Sequence, residues 1–473
     1  MANNPISSLI PRGSLGLKLL LVCLLVLLMG IPLVMVGGLV AQREMRAASV
    51  TTEIGARSGG AQVVGGPMLL VPYQRAVETT DSEGRTQRRT ERGSYVVFAE
   101  TGSADATLNV EERHRGIYRA ATYRAATEFD ARFRPAAALE GVDPAYRFDW
   151  SGARIVMFVA DSRAIQNAAQ LRFEDGRTVT FEPVTDLSVA APTPDYSSSD
   201  ISSRPVQPPA LGGLQAFAAK TPFAGIPADF AVETRLELTG AQRFALAAFA
   251  QDTTATVRGN RQDVRAEGYF QSGEALQPSQ EGFAVSWRVP FVARGVEKAA
   301  DLSSFNLGLS AQRDMAVSFV SSDDVYRGVS RAVAYGIMFI GIVFLATLIF
   351  EVISGKKAHP AQYVLVGLAQ CVFYLLLLSI TEIIGFTPAF LIAASATVLL
   401  LSFYAGASFR SQAVGLRALG GLALLYAAMY VLMTLEDFAL LAGSIVAFAV
   451  IAATMIATRR IDWYGRNAPA SAD

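Results

Sequence analysis

The sequence predicts a membrane protein of the α+β class. It has an N-terminal transmembrane anchor, a large all-β, antiparallel sandwich-like domain outside the cytoplasm, and a C-terminal bundle of five transmembrane helices. Three observations lead there. The 473 residues are 52% hydrophobic and only 17% charged, whereas a soluble chain is nearer a quarter charged, so the apolar surplus needs a non-aqueous surrounding. Charges crowd the stretch from about Arg43 to Arg331 and thin out on both sides of it. Six apolar runs of spanning length bracket a middle built from short alternating segments.

Residues 1–14 form a short N-terminal tail, and the anchor occupies 15–42, LGLKLLLVCLLVLLMGIPLVMVGGLVAQ. A removable signal has an apolar core of only about 7–15 residues, while Leu19 to Ala41 gives about 23, enough to cross roughly 30 Å of hydrocarbon. An uncleaved anchor is therefore expected over a cleaved signal. Pro32 and Gly37-Gly38 are candidate bends.

Residues 43–331 contain no spanning run. Val232, Thr234, Leu236 and Leu238 alternate with Glu233, Arg235 and Glu237, as a half-buried strand requires. Many such segments separated by Gly, Asp and Pro predict an antiparallel sandwich, as one or two packed units. The Pro- and Ser-rich stretch 191–213 reads as a long loop or linker.

Five further runs follow at 332–352, 362–380, 386–406, 414–435 and 438–457, with a tail at 458–473. Each is about 20 residues, the length of a spanning helix. Lys356, Lys357, Arg410, Arg417, Arg459 and Arg460 fall on one side, with Arg12 and Lys18. The opposite loops carry Glu382, or Glu436 and Asp437, and no Lys or Arg. The positive-inside rule then predicts cytoplasmic termini and an external β-rich domain, which in a Gram-negative inner membrane means the periplasm.

Net charge is zero, with no basic stripe for nucleic acid. The two cysteines, Cys23 and Cys371, sit in apolar runs, where free Cys behaves as a small hydrophobe. The only histidines, His114 and His359, fall on opposite sides of the predicted membrane, so no paired-histidine metal site is expected. A triad would need His114, which no Gly-x-Ser-x-Gly elbow accompanies, and VVGGPM has neither the spacing nor the lysine of a phosphate loop. No cofactor, metal or catalytic set is expected.

The candidate functional residues lie on the third helix: His359, Tyr363, Gln370, Thr381 and Glu382. Entry near Tyr363 carries twenty residues, at about 1.5 Å each, to Glu382 at the far headgroup level, where a charge costs less than at the centre. Pro360 suits the first helical turn beside His359. These residues read first as boundary markers, and Glu351 likewise reads as interfacial. Gln370 lies deeper and is expected to hydrogen-bond a neighbouring helix. The five C-terminal helices place no Asp, Glu, Lys or Arg at mid-depth, which favours a structural bundle over an ion-coupled pathway.

GGPMLLVPY (65–73), NVEERHRGIY (109–118), HPAQYVLVGLAQCVFYLLLLSITEIIGF (359–386) and RRIDWY (459–464) together resemble the CreD family of bacterial inner-membrane proteins. The resemblance spans nearly the whole chain. It implies a cell-envelope integrity or colicin-tolerance role within a two-component regulon that responds to envelope or metabolic stress, including β-lactam exposure. It supplies no catalytic residue to carry over. Where the family pattern has Ser-Glu before Gly-Phe, this chain has Thr381-Glu382, so a hydroxyl hydrogen bond or cap is expected to survive. The leading expectation is a non-enzymatic protein whose β-rich domain binds an envelope component or partner protein and whose helices hold it in the phospholipid bilayer. The alternative is a transporter or lipid-handling protein using the helix bundle. A hydrolase built on His114 ranks third. Oligomeric state is not legible.

Overall fold

The structure, a computed structural model, describes residues 15–80, 86–184, 213–273, 277–279, 282–302, 311–319, 323–354, 358–434 and 439–459. The chain forms two compact units, Val50–Ser321 and Met1–Ser49 with Ser322–Asp473. Of the linker expected at 191–213, residues 191–212 lie outside the described set, as do Arg12, Lys356, Lys357, Glu436, Asp437 and Arg460.

The unit Val50–Ser321 is built from two large sheets. One runs in the order Val264–Gly268, Asp314–Phe319, Arg243–Ala247, Gln62–Thr80, Arg154–Val159, Gln215–Lys220, Glu182–Val184, with Thr86–Val97 and Tyr146–Phe148 also on Gln62–Thr80. The other runs Gln277–Ser279, Gly282–Val289, Ala250–Gly259, Ala99–Arg115, Tyr118–Phe133, Phe230–Ala241, Gln170–Phe173, Thr178–Thr180. Residues from both sheets share one apolar core, including Leu69, Val71, Leu108, Phe129, Leu236 and Phe244. In Phe230–Ala241 the buried set Val232, Thr234, Leu236 and Leu238 faces inward while Glu233 and Arg235 stay exposed, as period-two alternation requires.

The run Met68-Leu69-Leu70-Val71 does not alternate because both faces of its sheet are covered. Leu69 and Val71 enter the shared core, whereas Met68 and Leu70 join Phe98, Phe158, Leu302 and Ala311 in a second apolar layer behind it. The glycines that precede this run are sites of close approach. A Cβ on Gly65 would lie 2.1 Å from the Phe158 ring, and one on Gly66 would lie 2.5 Å from Phe249. Register shifts between Gly65 and Met68, so the pair also sits at a bulge.

Two ladders correct the expectation of a wholly antiparallel sandwich. Gln62–Gly65 runs parallel to Phe244–Ala247, and Ala250–Gly259 runs parallel to Ala99 through Leu108. Parallel neighbours are joined by long crossovers rather than hairpins, and alternation within a segment carries no information about which distant strand lies beside it.

The helical unit begins with α1, Leu15–Ala56, whose residues up to Ser49 belong to it. The helix outruns the predicted 15–42 because Gln42 to Ala48 is polar but rich in good helix formers. Then come α2 (Asp323–Ala334), α3 (Gly336–Ser354), α4 (Pro360–Ile384), α5 (Phe386–Ser408), α6 (Gln412–Thr434) and α7 (Ala439–Thr458). Among the described residues, four helices, α1, α4, α5 and α6, are long and apolar enough to cross a membrane, and α2 with α3 qualifies as a fifth if the bent pair is one span. The predicted run at 332–352 is thus divided: residues 332–334 end an amphipathic helix, and a 47° bend precedes α3.

The chain turns sharply from α4 into α5 through Gly385 alone, at φ 83° and ψ 170°, a conformation open essentially to glycine. At the other end of α4, His359 is the N-cap and Pro360 the first helical residue. The Ala361 N–H donates to His359 Nδ1 at 3.2 Å, and the His359 N–H donates to Gln362 Oε1 at 3.1 Å. The anchor is no separate strut. Val22 and Met29 of α1 share a buried cluster with Ile340, Phe344 and Leu348 of α3 and with Tyr363 and Cys371 of α4.

Candidate functional site

Within the helical unit, polar groups gather at the two ends of the apolar length. Glu351, near the C-terminus of α3, is 5% exposed; Lys18 Nζ of α1 lies 2.6 Å from its Oε1, and the Tyr363 hydroxyl of α4 donates to Oε2 at 3.2 Å. Toward the other end, Glu382 of α4 accepts from the Tyr326 hydroxyl of α2 at 3.2 Å and lies 3.7 Å from Arg43 Nη1 of α1. Lys18 and Arg43 are separated by about 37 Å of helix, and Tyr363 and Glu382 by about 28 Å, at ~1.5 Å per residue. Both spacings match an apolar slab of roughly 30 Å with its headgroup margins. Each pair ties α1 to another helix, so charge that is costly in hydrocarbon is neutralised where the helices enter and leave it.

The residues singled out from sequence do not converge. His359 and Tyr363 lie at one end of α4, Thr381 and Glu382 at the other, and Gln370 between them. His359 caps its helix. Glu382 does not face open water: it is 13% exposed on its side chain and engaged by α1 and α2. Glu351 is buried between helices at that end of the apolar length. Among the described residues, the buried Gln370 Nε2 and Thr381 Oγ1 have no hydrogen-bond partner. Both side chains are held by helix packing, with Gln370 and Thr381 each 2% exposed. Sequence reasoning missed Lys18, Arg43 and Tyr326 as partners. The usable signal was that Lys18 and Arg43 bracket in α1 the same apolar length that Tyr363 and Glu382 bracket in α4.

The β-rich unit carries a different arrangement. A groove of about 630 Å³ opens on the eight-stranded sheet, its walls including Ser103, Asp130, Arg132, Glu233, Asp252 and Arg288. It lies where outward-facing residues of several adjacent strands form one surface. Arg172 pairs with Glu233, and Arg132 with Glu174 at 3.5 Å. Partial desolvation holds Asp130 above the usual carboxylate range; Glu233, Asp105 and Glu128 add to this, while the Ser103 hydroxyl, donating at 3.3 Å, opposes it. Asp252 Oδ1 is buried without a hydrogen-bond partner among the described residues. The groove thus offers both signs of charge and an unused acceptor to a polar ligand. Alternation alone classes these residues as an exposed face, which hides the fact that they share one concavity.

Elsewhere, His114 stands next to a two-residue hairpin turn at Gly116-Ile117, exposed, with Nε2 3.9 Å from Glu112. Tyr73, which closes the GGPMLLVPY segment, donates to Asp301 and packs edge-on against Tyr95 and Tyr146. Its hydroxyl is pushed up by burial and by the neighbouring carboxylate, which suits a structural donor. Among the described residues, no group of three or more His, Cys, Asp or Glu side chains is placed to hold a metal ion.

Comparison with known proteins bears on the whole chain. A solved structure titled a putative protease from Parabacteroides distasonis ATCC 8503 aligns with a TM-score of 0.21 and 11% identity over 59% of this chain and 50% of that one, too weak a likeness to carry an argument. Inner membrane protein CreD of Escherichia coli (strain K12) is 26% identical over 452 residues, covering 94% of this chain and 92% of that protein. The family profile described as Inner membrane protein CreD matches residues 14–464. The match takes in both the paired helical ends and the two-sheet unit, and the chain belongs to the CreD family of inner membrane proteins.

Proposed function

We propose that this CreD-type inner membrane protein is a non-enzymatic binding protein that contributes to envelope integrity or stress response. Both termini are cytoplasmic, the β-rich unit stands in the periplasm, and the groove on its eight-stranded sheet receives a polar, charged envelope component or partner segment. The observation that carries this reading is the groove itself, about 630 Å³ with arginines and carboxylates on its walls and a partnerless acceptor at Asp252. Such mixed polarity suits a ligand bearing both signs of charge, because each wall group then finds a complement rather than a repulsion. The orientation is supported by the Lys and Arg residues gathered at one face of the spanning segments.

The test uses intact cells and the full chain at native abundance. A photo-crosslinking residue at Thr254, exposed on the groove wall, should give a discrete adduct that the same residue at exposed Glu140 does not give. Asp130→Ala with Asp252→Ala should remove that adduct and the envelope phenotype while membrane abundance stays unchanged. Equal adducts at both positions, or none above background, overturn the reading. Orientation is tested separately: a reporter active only in the cytosol, inserted at the Gly116-Ile117 turn, should remain silent. Activity there overturns the periplasmic placement.

A further inference from the structure

Between α3, α4, α5 and α6 lies a second cavity, of about 500 Å³. Its walls come from the middle and C-terminal part of α3, the first turns of α4, the C-terminal end of α5 and the first two-thirds of α6. All four walls therefore belong to the end of the helical unit that carries Lys18 and Glu351. The opening between α5 and α6 has a physical origin. Their backbones approach closely at Gly406 and Gly415, where a Cβ on Gly415 would lie 3.3 Å from the Gly406 Cα. Beyond that contact, Ala418, Gly421 and Ala428 of α6 line the cavity with almost no side-chain volume.

The wall is apolar apart from a few hydroxyls, an amide and one full charge, Arg417. The lining contains no Asp or Glu, and the nearby Glu351 is already engaged by Lys18 and Tyr363. Arg417 is exposed and forms no ion pair with a carboxylate among the described residues. Along α6 the lining extends from Val414 to Ala428, about 21 Å at ~1.5 Å per residue. One leaflet of hydrocarbon is half of roughly 30 Å, so this depth accommodates an acyl chain together with its headgroup region. A volume of about 500 Å³ falls within the range of small-molecule sites, roughly 300–1,000 Å³.

We propose that this cavity is a binding site for an anionic phospholipid of the bilayer, with an acyl chain lying along the Ala418, Gly421 and Ala428 wall and its phosphate on Arg417. The helices that form the cavity are themselves spanning elements, so the medium around them is lipid. The single uncompensated cation selects an anionic headgroup from that medium. The site is independent of the groove on the β-rich unit, and either reading survives failure of the other.

The full-length protein is reconstituted in nanodiscs of mixed phosphatidylcholine and phosphatidylglycerol, re-isolated in mild detergent, and its retained lipid is measured by mass spectrometry. The parent should retain phosphatidylglycerol enriched about fivefold over the bulk ratio, the factor expected for one basic side chain near a phosphate. R417Q should retain lipid at the bulk ratio. G421F should retain little of either lipid, because a Cβ at Gly421 meets nothing within 4 Å and a ring there enters the cavity rather than a neighbouring helix. G421A, with the same backbone change and little volume, should behave as the parent and exclude a folding defect as the cause. The proposal is overturned if G421F keeps the parent's lipid, if R417Q keeps the enrichment, or if an unphosphorylated fatty acid displaces phosphatidylglycerol at equal concentration.

Discussion

In the helical unit a buried carboxylate meets a cation from another helix, as Glu351 meets Lys18, and one glycine, Gly336, meets mainly the flexible end of Leu33. The β-rich unit also pairs a buried carboxylate, Asp314, with Arg243 at 2.8 Å, but it leaves one buried cation without such a partner and sets some glycines against rings. Arg294 is 2% exposed with both terminal nitrogens lacking hydrogen-bond partners among the described residues, and Gly66 lies against the Phe249 ring. The contrast follows from the surroundings. A helix entering lipid has no water to screen a stray charge, so a carboxylate buried between helices, such as Glu351, is neutralised where it stands. A two-sheet core surrounded by water draws stability from its rings, and it tolerates one strained polar group when the packing around that group is strong.

The largest effect is expected where the β-rich unit is least forgiving. Gly66→Ala puts a methyl 2.5 Å from the Phe249 ring, whose far edge packs so closely on Gly102 of a second strand that a Cβ there would also lie 2.5 Å away. Overpacking against a trapped ring should cost about 3 kcal/mol. Gly336→Ala meets Leu33 Cδ atoms at 2.8 Å, which can rotate away, and should cost under about 1 kcal/mol. Thermal unfolding of both variants of the full chain in identical nanodiscs checks the difference, and equal costs would erase this half of the comparison.

The next largest effect concerns the paired charge. Lys18→Ala leaves Glu351 buried with only the Tyr363 hydroxyl, at an expected cost on the order of 2 kcal/mol, moderated because Lys18 is 40% exposed. Lys18→Met combined with Glu351→Met should recover most of that loss, since the penalty comes from the stranded charge. If the double variant is as unstable as the single one, the pair acts through packing instead.

These pairings also show where sequence reading stops. The expected run 362–380 stops short of Ile384, but the start of α4 was legible because its cause is local: His359 and Pro360 set that boundary. The bend before α3 was not, because Ala332 to Ala334 is as apolar as the helix that follows. Lys18 and Glu351 are 333 positions apart, and Phe249 reaches Gly66 from a link between two strands far along the chain, so nothing in either neighbourhood announces the contact. The groove residues were visible one at a time as exposed polar positions. Their assembly depends on strand order, including the parallel ladder of Ala250–Gly259 with Ala99–Arg115.

Arg294 tests the unpaired half of the comparison. Its Nε donates to the Ala248 carbonyl at 3.3 Å and its guanidinium lies 3.7 Å from the centre of the Phe98 ring, but burial alone brings its pKa down to about 9. Arg294→Met keeps the apolar volume and removes the desolvated charge, so it should raise stability at pH 7 by about 1 kcal/mol. The advantage should shrink as pH rises through about 9. There the folded parent releases the proton while the unfolded chain keeps it, so the parent gains stability with pH and the variant does not. A variant less stable than the parent at pH 7 would mean that the ring stack and the Ala248 hydrogen bond outweigh the desolvation.

The smallest effect is expected at the groove, where solvent reaches the charge. Asp130 has its pKa raised by desolvation and by neighbouring carboxylates, so the folded state binds the proton more tightly than the unfolded chain. Its stabilising contribution is complete below the ordinary aspartate pKa and is lost as pH rises through the higher folded value. Asp130→Asn cannot ionise and escapes that loss, although it weakens the hydrogen bond from Ser103. Measured as the variant's melting temperature minus the parent's, the difference should therefore be more positive at pH 7 than at pH 3.5, by an amount worth less than about 1 kcal/mol at so open a site. The sign carries the test. A difference that falls between pH 3.5 and pH 7 would mean that Arg132 or Arg172 stabilises the carboxylate more than desolvation opposes it, and the groove would then be internally neutralised like the helical pairs, with no residual demand for a charged ligand.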